Sequence, residues 1–437
     1  MKILIIGGGA REHALCWALR RSRRVGELFC APGNAGTARL ATNVPIGAES
    51  VGELAEWAAA NEVGLTVVGP EAPLAAGLVD ALARRGLRAF GPTARAAEIE
   101  ASKCWAWGFM ERQGIPAPRA RECADVPAGL AAVEQLGLPV AIKADGLAAG
   151  KGVVLARTPE EARRALVWML EQGGLGAAGR RVLVEEFLEG PELSVLAFAD
   201  GRNVAPMPPA RDYKRLCEGD RGPNTGGMGA YCPAGFAGPQ LLERIRTEVL
   251  QPTMRGLAAE GRPFKGVLYA GLMLTADGPK VLEFNARLGD PESQVILPLL
   301  ETDLLDVLEA VVEGDLGSIQ LAWRPGAACG VVLASEGYPG SYSTGRAIRG
   351  LDDLPTDAMV FQAGTASREG EVVTAGGRVL TATGVGSDPS AGSGQALAEA
   401  RRAAYQLVRR ISFEGCYYRG DIAADDATAA TRVQDWT

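Results

Sequence analysis

Histidine is almost missing from this 437-residue chain, which carries only His13. A hydrolase built on Ser-His-Asp or Cys-His needs an imidazole beside its nucleophile, and no G-x-S-x-G accompanies His13, which stands in the first turn of a helix pattern. The cysteines, at 16, 30, 104, 123, 217, 232, 329 and 416, include no CxxC pair. Neither a zinc site nor a disulfide framework is expected, and a reduced, cytoplasmic protein follows. Positive charge is not in excess either: Lys+Arg 45 against Asp+Glu 52 gives a net charge of -7. That balance argues against broad binding to nucleic acid or to anionic membranes and leaves small-molecule partners. No apolar run approaches the roughly 18 residues of a membrane span. The N-terminus shows no basic leader or small-residue cleavage site, so no signal peptide is expected.

What is present is an ordinary globular composition, 47% hydrophobic and 22% charged, in a chain long enough for several units. Lys2–Ile6, Leu65–Val68 and Leu87–Phe90 read as strands, with helices over Arg11–Arg21 and Leu74–Arg85. This βαβ rhythm predicts a Rossmann-like parallel sheet ending near residue 101. Pro92 and Thr93 restart the chain as a helix, and Ile115-Pro116-Ala117-Pro118 breaks it again. A module over about 120–190 follows. Its strands Val140–Ala144 and Val153–Leu155 are joined by a glycine loop into an antiparallel hairpin, a unit small enough to move as a lid. Strands at Leu193–Ala199, Gly266–Leu274 and Lys280–Phe284 and helices near Leu241–Ala259 and Asp303–Glu313 make a central region. A last domain, 327–425, is closed by a helix over Gln395–Ile411.

Four segments carry chemistry. Gly7-Gly8-Gly9 after the first strand is either a phosphate-binding turn, with Arg11 and His13 opening the same helix, or a plain tight turn. Its dinucleotide fingerprint is incomplete, because Glu12 stands where the third glycine belongs. The strand-loop-strand from Ile142 to Val153 offers Lys143, Lys151 and the glycines 146, 150 and 152 to a polyphosphate. It is not a Walker A loop, since no hydroxyl follows Lys151 and a strand comes next. Lys143 interrupts an apolar strand, so it should face an anion. In Lys280–Arg287, Glu283 and Asn285 lie two apart on one strand face as hard oxygen ligands, with Arg287 continuing that side. The run Gly222–Tyr231 is too glycine-rich for a helix or strand and reads as a loop of main-chain donors beside Asp212 and Lys214.

Together GGGAREHAL, APGNAGT, VVGPEAPLAAGLVD, FGPT, IKADGLAAGKGV, EEFLEGPE, GPNTGGMGAY, YAGLM, EFNARLGDPE, GYPG and GGRVL resemble the phosphoribosylamine–glycine ligase family of the ATP-grasp superfamily, in order from residue 1 to about 421. The resemblance implies an α/β and α+β multidomain fold: an N-terminal α/β domain over 1–101, an ATP-grasp domain over 102–322 and a mixed C-terminal domain. It implies ATP-dependent ligation of glycine to 5-phosphoribosylamine in purine biosynthesis. Carried over position by position, Lys103 and Lys143 are phosphate ligands of ATP, and the loop with Gly150, Lys151 and Gly152 is its cover. Glu185, Glu186, Phe187 and Leu188 form the adenine hinge, and Glu192 is the ribose acceptor. Glu283 and Asn285 are Mg2+ or Mn2+ ligands. Asp212 and Arg287 contact glycine and, with Lys143, carry the catalysis. Gly9, Asn224, Thr225, Gly226, Gly227, Met228 and Asp290 belong to the substrate site. Many members have His where this chain has Tyr213. The resemblance leaves the oligomeric state open, with a monomer favoured.

Overall fold

The computed structural model describes residues 1–147, 152–387 and 394–424. Ile3, Leu4, Ile5 and Ile6 are fully buried. A strand apolar on both faces needs cover on both faces, which a parallel sheet wrapped in helices supplies. Five parallel strands form it, in the spatial order Thr42–Asn43, Glu27–Pro32, Lys2–Gly7, Leu65–Val68, Ala89–Phe90. The order reverses between Lys2–Gly7 and Leu65–Val68, so the loops after these two strands flank the switch point where open α/β sheets bind ligands. Two sequence expectations change here. The helix over 74–85 is two short helices, Glu71–Ala75 and Leu78–Ala83, parted by Gly77 at φ +82. Strand Glu27–Pro32 and helix Val51–Ala60, the latter signalled by Ser50 at its start, Glu53 in its first turn and a run of helix formers, add to the elements expected.

Thr93 caps helix Ala94–Ala101, accepting from the Ala96 amide, and Ser102 caps Lys103–Gln113, accepting from the Trp105 amide at 3.0 Å. The second helix was not expected. A four-stranded antiparallel sheet follows, ordered Ala120–Cys123, Val182–Glu186, Val140–Ala144, Val153–Ala156. The expected hairpin lies inside it, backed by helices Val126–Leu136 and Pro159–Leu166. A second antiparallel sheet runs Val204–Pro206, Glu192–Asp200, Lys265–Thr275, Gly278–Asn285.

The third antiparallel sheet joins segments on either side of the expected C-terminal boundary. Arg211–Asp212 and Gly229–Cys232 pair in series with Ala327–Ser335, Arg378–Gly386 and Met359–Gln362, while Cys416–Tyr417 adds to Ala327–Ser335. The run Gly222–Tyr231 is therefore no simple loop: Arg221–Asn224 and Gly229–Cys232 are both strands. A Cβ on Gly229 would stand 2.6 Å from the Gly330 carbonyl, so close strand approach, and not looseness, explains that glycine. Among the described residues no helix is long and apolar enough to cross a membrane.

Candidate active site

A cavity of about 1090 Å³ opens between the lid sheet, the second antiparallel sheet, the switch-point loops and the C-terminal part of the chain. Lys143 enters it from a strand whose residues are all buried. Its ammonium lies 2.6 Å from Glu185 and donates to the Leu282 carbonyl at 2.9 Å. Leu282 is the extra residue of a bulge, since Gly271 pairs with Glu283 and Leu272 with Val281, which frees that carbonyl from the ladder. The anion expected opposite Lys143 is thus a carboxylate of the chain itself. Burial raises the Glu185 pKa against the pull of Lys143. Glu185 and Glu186 do not act alike: Glu186 pairs with Arg119 at 2.6 Å and Lys280 at 3.3 Å. Phe187, Leu188 and Gly152 line the wall, as does Lys103, whose ammonium donates to the Gly146 carbonyl at 3.4 Å. Gly150 and Lys151 lie outside the described residues.

Further in, Lys214 bridges Glu192 at 2.8 Å and Glu283 at 3.9 Å. Burial would raise the Glu283 pKa, but Lys214, Lys143 and Lys103 hold it below its ordinary value, so the carboxylate is ionised. Asn285 shares its strand face, and its amide oxygen accepts from Arg287 at 3.2 Å. A charged oxygen and an amide oxygen side by side suit a hard cation. Among the described residues no three of His, Cys, Asp and Glu converge as a ligand set, so a cation here would draw its other oxygens from substrate. Asp212 lies near this group. Burial, reinforced by Glu292, Glu192 and Glu283 and opposed by Lys214, pushes its pKa up to about 7. Ser194 links the acids, with its hydroxyl 3.3 Å from Glu292, 3.5 Å from Asp212 and 2.9 Å from the Tyr269 hydroxyl.

At the far end Arg287 is held by Glu100 at 3.0 Å and Glu71 at 3.3 Å. Glu100 also accepts from the Ala286 amide at 2.7 Å, and burial raises its pKa against the pull of Arg287. Arg378 donates to the carbonyls of Gly226 at 2.6 Å and Asp290 at 2.9 Å and lies 3.3 Å from the Asp290 carboxylate. Glu100, Ser194, Tyr269 and Arg378 have no role assigned by the sequence; YAGLM carries Tyr269 and GGRVL carries Arg378, but nothing local ties Arg378 to Asp290, 88 residues away.

Asn224, Thr225, Gly226 and Asp290 line the cavity, whereas Gly9, Gly227 and Met228 do not. Met228 is fully buried, and the Gly227 amide donates to Thr225. The Gly9 amide is taken by Glu12 at 2.6 Å, and the Glu12 carboxylate also receives Arg11 at 2.6 Å. An anion of the chain therefore fills the main-chain nest after the first strand, which accounts for the broken dinucleotide fingerprint. The Nδ1 of His13 accepts from the Gln362 amide at 2.8 Å, and burial, aided by the charge of Arg39, lowers its pKa to about 4. Tyr213 is not on the cavity wall. Its hydroxyl accepts from the Ala423 amide at 3.0 Å.

Three family models match in series: the phosphoribosylglycinamide synthetase N domain over residues 1–100, its ATP-grasp (A) domain over 101–293 and its C domain over 328–425. Phosphoribosylamine–glycine ligase of Pseudomonas aeruginosa is 49% identical over 426 residues, covering 97% of each chain. The chicken trifunctional purine biosynthetic protein adenosine-3 is 50% identical over 426 residues, 96% of this chain but 42% of that longer one. The crystal structure of phosphoribosylamine–glycine ligase from Thermotoga maritima superposes with a TM-score of 0.83 at 37% identity, covering 97% of this chain and 100% of the other. By the three models in order and this likeness over nearly its whole length, the chain belongs to the phosphoribosylglycinamide synthetase family, an ATP-grasp ligase family.

Proposed function

We propose that this chain joins glycine to 5-phosphoribosylamine at the expense of ATP, giving glycinamide ribonucleotide, ADP and phosphate in purine biosynthesis. The observation that carries this reading is one cavity that gathers Lys103, Lys143, Glu192, Asp212, Asn224, Glu283, Asn285 and Arg287, in a chain about half identical to such ligases end to end.

Glycine's carboxylate is a poor electrophile, and the γ-phosphoryl group of ATP converts it to glycyl phosphate with a good leaving group. That transfer needs charge neutralisation and alignment more than a base, which suits a wall of lysines and arginines without histidine. ATP lies with its base at the Glu185–Leu188 hinge, its ribose at Glu192 and its phosphates on Lys103 and Lys143. Gly150 and Lys151 complete the cover. A divalent cation, Mg2+ or Mn2+, would be held by Glu283 and Asn285 and would neutralise phosphate charge. Arg287 grips the glycine carboxylate by giving up its looser partner, Glu71, while Glu100 keeps the guanidinium in place. Asp212, poised near neutrality, ionises to receive the glycine ammonium. Asn224, Thr225, Gly226 and Asp290 hold phosphoribosylamine, with Gly9, Gly227 and Met228 behind them. Phosphoribosylamine's amino group then attacks the glycyl carbonyl and phosphate leaves.

The test is ADP release with freshly generated phosphoribosylamine, with glycine present or omitted. Release that needs both substrates supports the reading. Release indifferent to glycine, or dependent on bicarbonate or D-alanine, overturns it.

A further inference from the structure

The hairpin formed by Arg215–Cys217 and Arg221–Asn224 reaches the cavity wall at Arg215, Gly219, Asp220 and Asn224, yet it is only a two-stranded ribbon with an irregular register. Such a ribbon is marginal alone in water. Its support comes from the far end of the chain. Arg419 is 1% exposed. Its guanidinium holds Asp421 in a fork at 2.6 and 2.7 Å and donates to the Arg215 carbonyl at 2.9 Å and to Asp220 at 3.0 Å. It also lies 4.9 Å from the centre of the Tyr213 ring. Around it the same two segments are stitched together: the Tyr417 hydroxyl donates to the Leu216 carbonyl, the Gly219 amide to Asp421, and the Gly420 amide to Glu218. The C-terminal side is itself anchored, because Arg401 and Tyr405 of helix Gly394–Val408 bond to the carbonyls of residues 419, 420 and 422.

The hairpin in turn sets the substrate loop. The Lys214 carbonyl receives both the amide and the hydroxyl of Thr225, at 2.7 and 2.9 Å, and the Tyr213 carbonyl receives the Met228 amide. Lys214 adjoins the residue whose carbonyl Arg419 grips. We infer that Arg419 is a positioning residue: by clasping Arg215, Asp220 and the Tyr213 ring to the C-terminal segment, it fixes Asp212 and the Asn224–Gly226 loop against the cavity. Burying an arginine is justified only when its donors are satisfied, and the four acceptors here belong to just two segments, which is what a clasp requires. Tyr213, whose hydroxyl accepts from the Ala423 amide, is part of this clasp.

This inference rests on the proposed function for which substrate suffers, but not for its structural half. The test is Arg419→Lys, which keeps the charge and loses the fork. Amide hydrogen exchange over residues 215–226 should accelerate by about tenfold or more, while exchange in Val140–Ala144 stays unchanged. KM for phosphoribosylamine should rise about tenfold or more, with KM for ATP within roughly twofold. Unchanged exchange over 215–226, or equal rises in KM for ATP and phosphoribosylamine, would overturn the clasp. If Arg419→Lys does not fold, Asp220→Ala with Glu218→Ala cuts the same clasp from its solvent side. The same pattern on a smaller scale supports the inference, and wild-type exchange there refutes it. A wild-type protein without glycine-dependent ADP release would refute the proposed function alone, since the exchange readout needs no substrate.

Discussion

Replacing Lys143 with methionine separates what the buried lysine does for folding from what it does for turnover. The ammonium sits 2.6 Å from Glu185, with side-chain exposures of 10% and 6% for the two residues. Methionine keeps the stem but leaves Glu185 a sealed carboxylate without its cation, which costs about 3 to 5 kcal/mol if the charge stays. Protonation offers an escape. Burial already raises the Glu185 pKa against Lys143, and losing the lysine raises it further. A carboxyl whose folded pKa is raised contributes stability at low pH and withdraws it as pH climbs through the folded value, at about 1.4 kcal/mol per unit.

Lys143→Met should therefore lose about 1 kcal/mol or less near pH 5 and about 3 kcal/mol by pH 8. Adding Glu185→Gln removes the charge that needed a partner, so the double variant should return to within about 1 kcal/mol of wild type with little pH slope. If Lys143 meets the phosphates as proposed, the double variant's turnover should still fall by roughly a hundredfold or more. Urea unfolding from pH 5 to 8 and ADP release measure the two halves. A flat pH profile for the single variant would refute the electrostatic account. A double variant with near-normal turnover would remove Lys143 from the phosphates.

Glu283→Gln should cut activity across a magnesium titration by roughly a hundredfold while barely shifting the unfolding midpoint, since its ion pair with Lys214 is long at 3.9 Å. His13, the single histidine, should give one Hε1 resonance that does not titrate between pH 7 and 5. Because its pKa is about 4 folded and 6.5 in the reference state, stability should drop by about 3 kcal/mol as pH falls from 6.5 to 4, and His13→Asn should flatten that slope in acid-unfolding curves. Arg287→Lys should lower kcat/KM for glycine by roughly ten- to a thousandfold and soften the fold by about 2 kcal/mol, since one ammonium cannot hold Glu71 and Glu100 together; normal glycine kinetics would place this arginine on another ligand.

Where local chemistry decides, the sequence spoke clearly. Leu65–Val68 and Val140–Ala144 match their expected bounds because short aliphatic runs bounded by glycine or proline have little else to form. Lys143 drew notice as a charge in such a run, and Glu283 with Asn285 by their spacing. Legibility failed where the partner is remote or the cause steric. Glu100 binds the Ala286 amide across 186 residues, and no periodicity around Glu100 encodes that distance. The strand Gly229–Cys232 looked like loop because its small residues answer to a neighbouring strand, from Ala327–Ser335, that only the fold brings alongside. His13 and Arg11 open the helix after the glycine turn, and there His13 faces the Gln362 amide while Arg11, on the cavity wall, meets Glu12 and the Leu288 carbonyl.

The pairing of Arg11 with Glu12 exposes the electrostatic logic of the site. The switch-point nest of the first sheet is where a doubly wound protein would seat a phosphate, and here the Glu12 carboxylate occupies it. Across the cavity the same device recurs. Lys143 rests on Glu185, Lys214 on Glu192, Arg287 on Glu100 and Arg378 on Asp290. Isolated buried cations would be unaffordable in the unliganded protein, so each is lodged against a carboxylate. Binding a polyphosphate is then an exchange of anions and not a simple gain. Each lysine or arginine that turns to substrate leaves behind an acid that must find a proton, another cation or a substrate ammonium. Asp212, raised to about 7 among Glu292, Glu192 and Glu283, is the acid with least to lose by waiting in its neutral form. On the proposed placement of ATP on the lysines, a glycine ammonium and a divalent cation are the positive groups such a cavity would then lack, so the three ligands should bind with mutual reinforcement: each neutralises a charge that another uncovers.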